Sequence, residues 1–303
     1  MSFTDASLTE LRVFREVVER GTLTAAAAAL GYTQSAVSRQ IASLERAAGT
    51  PLLERRHNGV SLTPAGHLVL RRAAAVVDQV DAATRELEGR PAEPHTVRLG
   101  WIPTAGAGIV PRALVALRRN HPTITLVTRE GNTPALIRAL RAGSVDLALF
   151  ASVPPFRSPD NEAPPLEVRV LTERSLKVAV PATHPLARND SVDVADLHGQ
   201  RWIAGPNSRD AQFMGVWPGL DERPEIVHTT RDWLAKLSLV AAGAGITTVS
   251  DTLGPSMPQG IRVLTVHGGP DEQRRLVLAR LPSPITEPLV HVAAALRMAA
   301  QEV

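Results

Sequence analysis

Apolar residues recur at helical spacing from the start of the chain. Leu8, Leu11, Phe14, Val17 and Val18 share one face behind a capping box of Ser7 and Glu10, and the pattern stops at Gly21. A second, short helix is predicted from about Thr24 through the alanine run to Leu30, where Gly31 can take the left-handed conformation that ends it. Thr33 is placed to cap a third helix, which keeps Ala36, Val37, Ile41 and Leu44 apolar and runs to Gly49. Residues 52–56 and 60–62 then flank His57-Asn58-Gly59, and Asn-Gly between two extended runs signals a tight hairpin. Three helices precede a wing.

Thr63-Pro64 supplies a cap and a first-turn proline for a helix that continues without a breaker to about residue 88. Its apolar positions Val69, Ala73, Val76, Val80, Ala83 and Leu87 form a narrow seam suited to one partner helix, so dimerisation is expected there. At ~1.5 Å per residue the rod is about 37 Å long. Pro91 and Pro94 break it. Beyond them extended and helical patterns alternate: strands at 97–102, 124–128 and 145–150 with helices at 109–119 and 134–141, then strands at 176–180, 201–204, 225–229 and 246–250 with a helix at 233–242. That rhythm predicts two α/β units with mostly parallel sheets. A strand at 274–281 and a helix at 284–301 are expected to return to the first unit. The predicted organisation is a helical winged domain over 1–62, a linker and dimerisation helix over 63–90, and a regulatory domain over 95–303. Within it, one lobe takes roughly 95–168 and 270–303, and the other roughly 169–269.

Composition narrows the class. The 303 residues exceed what one core usually organises, 44% are hydrophobic, and no apolar run approaches a membrane span. The amino terminus carries no secretory pattern and there is no Cys, so disulfides and thiolate metal sites are excluded and the cytoplasm is the expected compartment. The formal net charge is only +3, although Lys177 and Lys236 are the only lysines and arginine supplies the remaining cationic charge. Charge alone names no partner.

The third helix carries the chemistry. Its opening, Thr33-Gln34-Ser35-Ala36-Val37-Ser38-Arg39, puts short hydroxyl and amide side chains on the outer face, where a merely solvated helix favours Lys and Glu. A glycine turn followed by such a helix is a helix-turn-helix. Gln34 can pair with adenine, Ser35 and Ser38 can meet bases or phosphates, and Arg39 with wing residues Arg55 and Arg56 can meet phosphates or enter a minor groove.

Residues 21 to 66, GTLTAAAAALGYTQSAVSRQIASLERAAGTPLLERRHNGVSLTPAG, resemble the DNA-binding segment of LysR-type transcriptional regulators, densely and in order. The resemblance implies an α+β multidomain chain: a winged helix-turn-helix, a linker helix that pairs two subunits, and a two-lobed α/β effector domain of the periplasmic-binding-protein type. It also implies a homo-oligomer, a dimer of dimers, that binds double-stranded DNA and a small-molecule effector and needs no cofactor. Ligands of open α/β sheets lie beyond the carboxyl ends of strands. The loops at 102–106, 131–134, 204–208 and 246–251 are therefore the candidate cleft. By resemblance, effector contacts fall on Thr104, Thr133, Ser152, Pro206 and Asn207. Ser152 stands where relatives that bind aromatic or dicarboxylic acids carry arginine, which argues against a strongly anionic effector.

The alternative is a nucleotide-dependent α/β enzyme with an accessory helical domain. Gly106-Ala107-Gly108 after a strand hints at it, but Pro111 stands where a third glycine is expected. The nine histidines are scattered without metal-ligand spacing, and no nucleophile elbow or paired-carboxylate signature occurs, so neither a catalytic nor a metal site is predicted.

Overall fold

The computed structural model describes residues 3–56, 59–87, 95–160, 162–205, 214–250, 257–269 and 272–302. Helix α1 (Leu8–Arg20) opens on the predicted capping box, with the Glu10 N–H donating to Ser7 Oγ at 3.1 Å and the Ser7 N–H to Glu10 Oε2 at 2.7 Å. Helix α2 (Leu23–Leu30) starts earlier than predicted, because the hydroxyl of Thr22 rather than Thr24 accepts the Ala25 N–H. Gly31 ends α2 at φ 68°, and the Tyr32 N–H returns to the Ala27 carbonyl. Helix α3 (Gln34–Ala48) follows after a short turn. Strands β1 (Leu53–Arg56) and β2 (Gly59–Leu62) pair antiparallel with Arg56 opposite Gly59, while the turn at 57–58 lies outside the described residues. The Glu45 carboxylate accepts the N–H groups of Leu52 (2.8 Å) and Leu53 (3.1 Å), which fixes the wing to α3.

Helix α4 (Pro64–Leu87) crosses this domain and completes its core: Leu70, Ala73 and Val77 are buried with Phe14, Val17, Val37 and Leu44. Two of the expected pairing positions, Val69 and Ala73, are thereby spent on α1 of the same chain. The first half of α4 carries a second apolar column, Leu70 and Val77, beside the first, and the wider stripe needs an intramolecular partner. Val76, Ala83 and Leu87 remain exposed and Val80 half-buried.

The regulatory half begins with β3 (Thr96–Trp101), α5 (Pro103–Gly106), α6 (Ile109–Asn120), β4 (Thr125–Glu130), α7 (Thr133–Arg141) and β5 (Leu147–Ser152), whose strands run parallel in the order β4-β3-β5. Strand β6 (Glu167–Pro181) is much longer than the predicted 176–180. Its first half carries Glu167, Arg169, Glu173 and Arg174, which hide its strand character. Then come β7 (Ser191–Asp193), β8 (Arg201–Ala204), β9 (Glu225–Thr229), α8 (Trp233–Ala241), β10 (Thr247–Ser250), β11 (Ile261–His267), β12 (Gln273–Arg280) and α9 (Glu287–Gln301). β12 lies between β5 and β6, antiparallel to both, and β6 continues into the second lobe against β10 and β11, again antiparallel. The sheets are thus mixed rather than mostly parallel, because the two strands that link the lobes run against their neighbours. The closing strand and helix do return to the first unit: α9 buries Val292, Ala295 and Leu296 with Ile109, Ala113 and Leu117 of α6 over the sheet. The second lobe is centred on Trp202, Val178, Val180 and Leu264. Among the described residues, no helix is long and apolar enough to cross a membrane.

Gly66 shows how closely α4 approaches the wing: a Cβ there would lie 2.1 Å from the Leu52 carbonyl oxygen. That neighbour is backbone and cannot rotate away. Gly66→Ala is expected to destabilise the winged domain by about 1–3 kcal/mol in chemical denaturation.

Candidate DNA-reading face and effector cleft

The Thr33 hydroxyl caps α3 by accepting the Ala36 N–H at 3.2 Å and lies 3.0 Å from Ser35 Oγ. Val37, Ile41 and Leu44 face inward and are buried, so the opposite face, with Thr33, Gln34, Ser35 and Arg39 exposed and Ser38 half-buried, turns outward. Sequence reasoning passed over Tyr32, whose ring is 47% exposed beside the same helix start and offers a further hydroxyl. Arg55 and Arg56 lie on β1, but their side chains are outside the described residues.

Thr104, Thr133 and Ser152 come together at the carboxyl ends of three adjacent strands, β3, β4 and β5. Threonine at a helix start usually serves as a cap. Neither does so here. α5 has Ile102 at its cap position with no side-chain bond, and α7 is capped by Asn132, whose Oδ1 accepts the Ala135 N–H at 2.9 Å. Gly106 is held by the indole of Trp101, since a Cβ there would lie 1.9 Å from the ring.

Ser152 pairs in register with Arg275 on β12, which in turn pairs with Glu173 on β6. Directly opposed residues of an antiparallel ladder share a face, so a guanidinium stands one strand from Ser152. It donates to Glu173 at 2.7 Å and lies 3.8 Å over the Phe156 ring. The serine alone therefore does not make this rim neutral. Pro206 and Asn207 lie outside the described residues.

The second lobe offers a group that sequence reasoning also missed. Lys236 on α8 is 3% exposed, and burial lowers its pKa to about 8. A charged residue on the apolar stripe of Trp233, Leu237 and Val240 was the available signal. Among the described residues no cluster of His, Asp or Glu could hold a metal ion.

The winged domain rests on the first lobe. Glu19, at the end of α1, is 8% exposed and accepts from the Arg129 guanidinium, while Arg138 of α7 donates to the Glu19 carbonyl at 3.0 Å. Arg15 reaches both Asp78 on α4 (2.8 Å) and the Gly143 carbonyl (3.1 Å). Arg98 joins Asp78 to Asp146. Val18, Leu53, Val60 and Leu62 line a small crevice opposite Ile137, Arg138 and Arg141.

Residues 8–67 match the family model for the bacterial regulatory helix-turn-helix protein of the lysR family, and residues 91–301 match the LysR substrate binding domain. The chain belongs to the LysR family of transcriptional regulators. Members are DNA-binding regulators with an effector-binding domain, so a nucleotide-dependent enzyme is not favoured. The chain is 30% identical to the HTH-type transcriptional regulator BenM of Acinetobacter baylyi over 86% of its length and 83% of the relative's. It is 33% identical to a probable hydrogen peroxide-inducible genes activator of Mycobacterium avium over 88% and 86% of the two chains. The solved structure of full-length BenM superposes with a TM-score of 0.56 at 25% identity, covering 98% of this chain and 96% of that one. A full-length OxyR variant of Pseudomonas aeruginosa gives a TM-score of 0.59 at 23% identity, covering 97% and 94%, which shows the shared fold.

Removing the Arg129 guanidinium leaves the Glu19 carboxylate desolvated without that partner. Arg129→Ala is expected to lower the unfolding free energy by about 1 kcal/mol, with Arg129 itself part-exposed and screened. In the double variant with Glu19→Gln most of that loss should return. Strictly additive effects in a double-mutant cycle would remove the contact from the account.

Proposed function

We propose that this LysR-family regulator reads an imperfect inverted repeat through paired winged heads, and that an effector between the two lobes changes its grip on that DNA. The carrying observation is the outer face of α3. Thr33, Gln34, Ser35 and Arg39 stand exposed where the helix-turn-helix presents its reading helix, and an apolar inner face anchors them. Base edges are read by Gln34, Ser35 and Ser38, and phosphates are met by Arg39, Arg55 and Arg56. Exposed Val76, Ala83 and Leu87 of α4, with Val80, serve the contact with a second copy, and a dimer of dimers is the proposed assembly. Chromosomal DNA places this work in the cytoplasm.

Thr104, Thr133 and Ser152, with Pro206 and Asn207, form the proposed effector contacts. Thr133 opens α7, and Ile137 and Arg138 of the same short helix face the winged domain. An effector that favours one position of α7 would shift DNA affinity by the difference in its affinity for the two arrangements, and by no more. CbnR, a structural neighbour at 21% identity, has been solved as the full-length protein with its target DNA. The hydrogen peroxide-inducible activator among the relatives suggests another stimulus, but this chain contains no Cys on which a thiol sensor could be built.

A gel-shift against the DNA flanking its own coding region tests the reading, with binding no better than to competitor DNA as the refuting result. Gln34→Ala should relax discrimination at one base position at a cost of ~1–3 kcal/mol, and equal loss on cognate and random DNA would refute its role. Arg55→Ala should instead weaken all DNA alike and reduce the salt slope by about one.

A further inference from the structure

We infer that Lys236 is an effector-anchoring residue of the second lobe, and that the ligand it takes is a monocarboxylate with an apolar body. This rests on the inter-lobe cleft being the effector site and names the chemistry of its second wall.

Lys236 is 3% exposed, its ammonium is not among the fully sealed polar atoms that lack a partner, and no hydrogen bond or ion pair joins it to a carboxylate of the described residues. Among the described residues its one partner is the face of the Trp233 ring, 4.7 Å away. A buried charge normally pairs or neutralises, and an aromatic face replaces only part of the lost hydration. The pKa accordingly falls to about 8, with burial as its cause. At neutral pH the group is still mostly protonated and lacks an anion.

Its position matches that need. A Cβ added at Gly215 would lie 3.0 Å from Lys236 Nζ, 2.8 Å from Thr247 Oγ1 and 2.7 Å from the Ile203 carbonyl, so the ammonium sits beside β8 and β10. The chain at 214–215 closes the carboxyl end of β8, with the Gly205 N–H donating to the Met214 carbonyl and the Thr248 N–H to that of Gly215. Strand ends of this kind are where α/β sheets hold ligands. The Thr247 hydroxyl spends its one proton on the Ile203 and Gly215 carbonyls, and its oxygen can offer the ammonium a neutral acceptor but no negative charge. Among the described residues one cation stands here without a second, and a single cation suits one carboxylate better than a phosphate or sulfate dianion. The part-exposed Trp233 ring beside the ammonium suits an apolar body, while Ile203 and Leu237 are sealed in the core behind it. The flexible lysine stem lets the ammonium meet an arriving anion.

The test uses full-length protein as wild type, Lys236→Met, Lys177→Met and Thr133→Val, with hexanoate and phenylacetate as probes, their neutral amides as controls, and sulfate as the inorganic arm. Each acid should raise the wild-type and Lys177→Met melting temperatures by roughly 2–4 °C once it exceeds its Kd several-fold, and leave Lys236→Met unmoved. The amides should do nothing. Ligand-free Lys236→Met should melt no lower than wild type; a clear fall would mean that the ammonium is already satisfied, and would overturn the inference. Acids stabilising Lys236→Met as well as wild type, a response to sulfate alone, or no response to either acid would each overturn it. If Lys236→Met keeps the response while Thr133→Val loses it, the cleft reading stands and the lysine falls. If Lys236→Met loses it and Thr133→Val does not, the lysine site stands outside that cleft.

Discussion

Strand β6 constrains the whole regulatory half. Fifteen residues, Glu167 to Pro181, pair with β12 in one lobe and with β10 and β11 in the other. A strand paired along its whole length, on one edge in the first lobe and on both in the second, cannot bend sharply without giving up ladder hydrogen bonds. Opening the lobes is thereby limited to a twist along this strand and β12. The register irregularity between Leu276 and Val277 falls on that path, next to Arg275, Glu173 and Ser152. A ligand at the carboxyl ends of β3, β4 and β5 would therefore lie close to this irregularity in the strands that join the lobes.

The same economy governs the join between reader and sensor. Helix α7 carries Asn132 and Thr133 at its start, and Ile137, Arg138 and Arg141 along the side that meets the winged domain, Asp160 and Pro164. Arg141 is 5% exposed yet fully occupied, gripping Asp160 and the carbonyls of Glu162 and Pro164. Such a helix moves as a piece, because its buried guanidinium loses several charge-assisted bonds if it slides alone. The ion pairs around Arg15, Asp78 and Arg98 and the pair of Arg129 with Glu19 each keep one part-exposed partner, so salt weakens all of them.

Local chemistry was legible in the sequence wherever one residue decided the outcome. Ser7 with Glu10, Gly31, Thr33 and the hairpin around Gly59 all act within a few positions of themselves. Legibility failed where two residues competed for one role: Thr22 caps a helix that was expected to begin at about Thr24, and Asn132 caps beside Thr133. It also failed where the partner is distant in sequence. Nothing local to Glu19 announces Arg129, and the polar residues of β6 make sense only once β12 lies beside them. The seam on α4 was half legible, since a stripe one column wider serves α1 before it can serve another copy. Of the candidate site, the reading face was proposed from its composition and Lys236 left a trace as a charge on an apolar stripe, whereas Arg275 required the fold.

What separates structural from functional polar groups here is whether the fold uses them. Glu45 holds the wing, Asn132 caps α7, Thr247 ties β10 to β8, and each is committed to backbone. Gln34 and Arg39 project outward from a helix whose other face is fully engaged, Thr104 and Thr133 sit at helix starts that they do not cap, and Lys236 is buried beside an aromatic ring without an anion. The exposed groups are met by water and cost the fold nothing, whereas a buried charge without an anion lowers its stability. Their retention at the outer face of α3 and at the strand ends of both lobes is intelligible when the missing partners are DNA at one end of the molecule and a small ligand at the other.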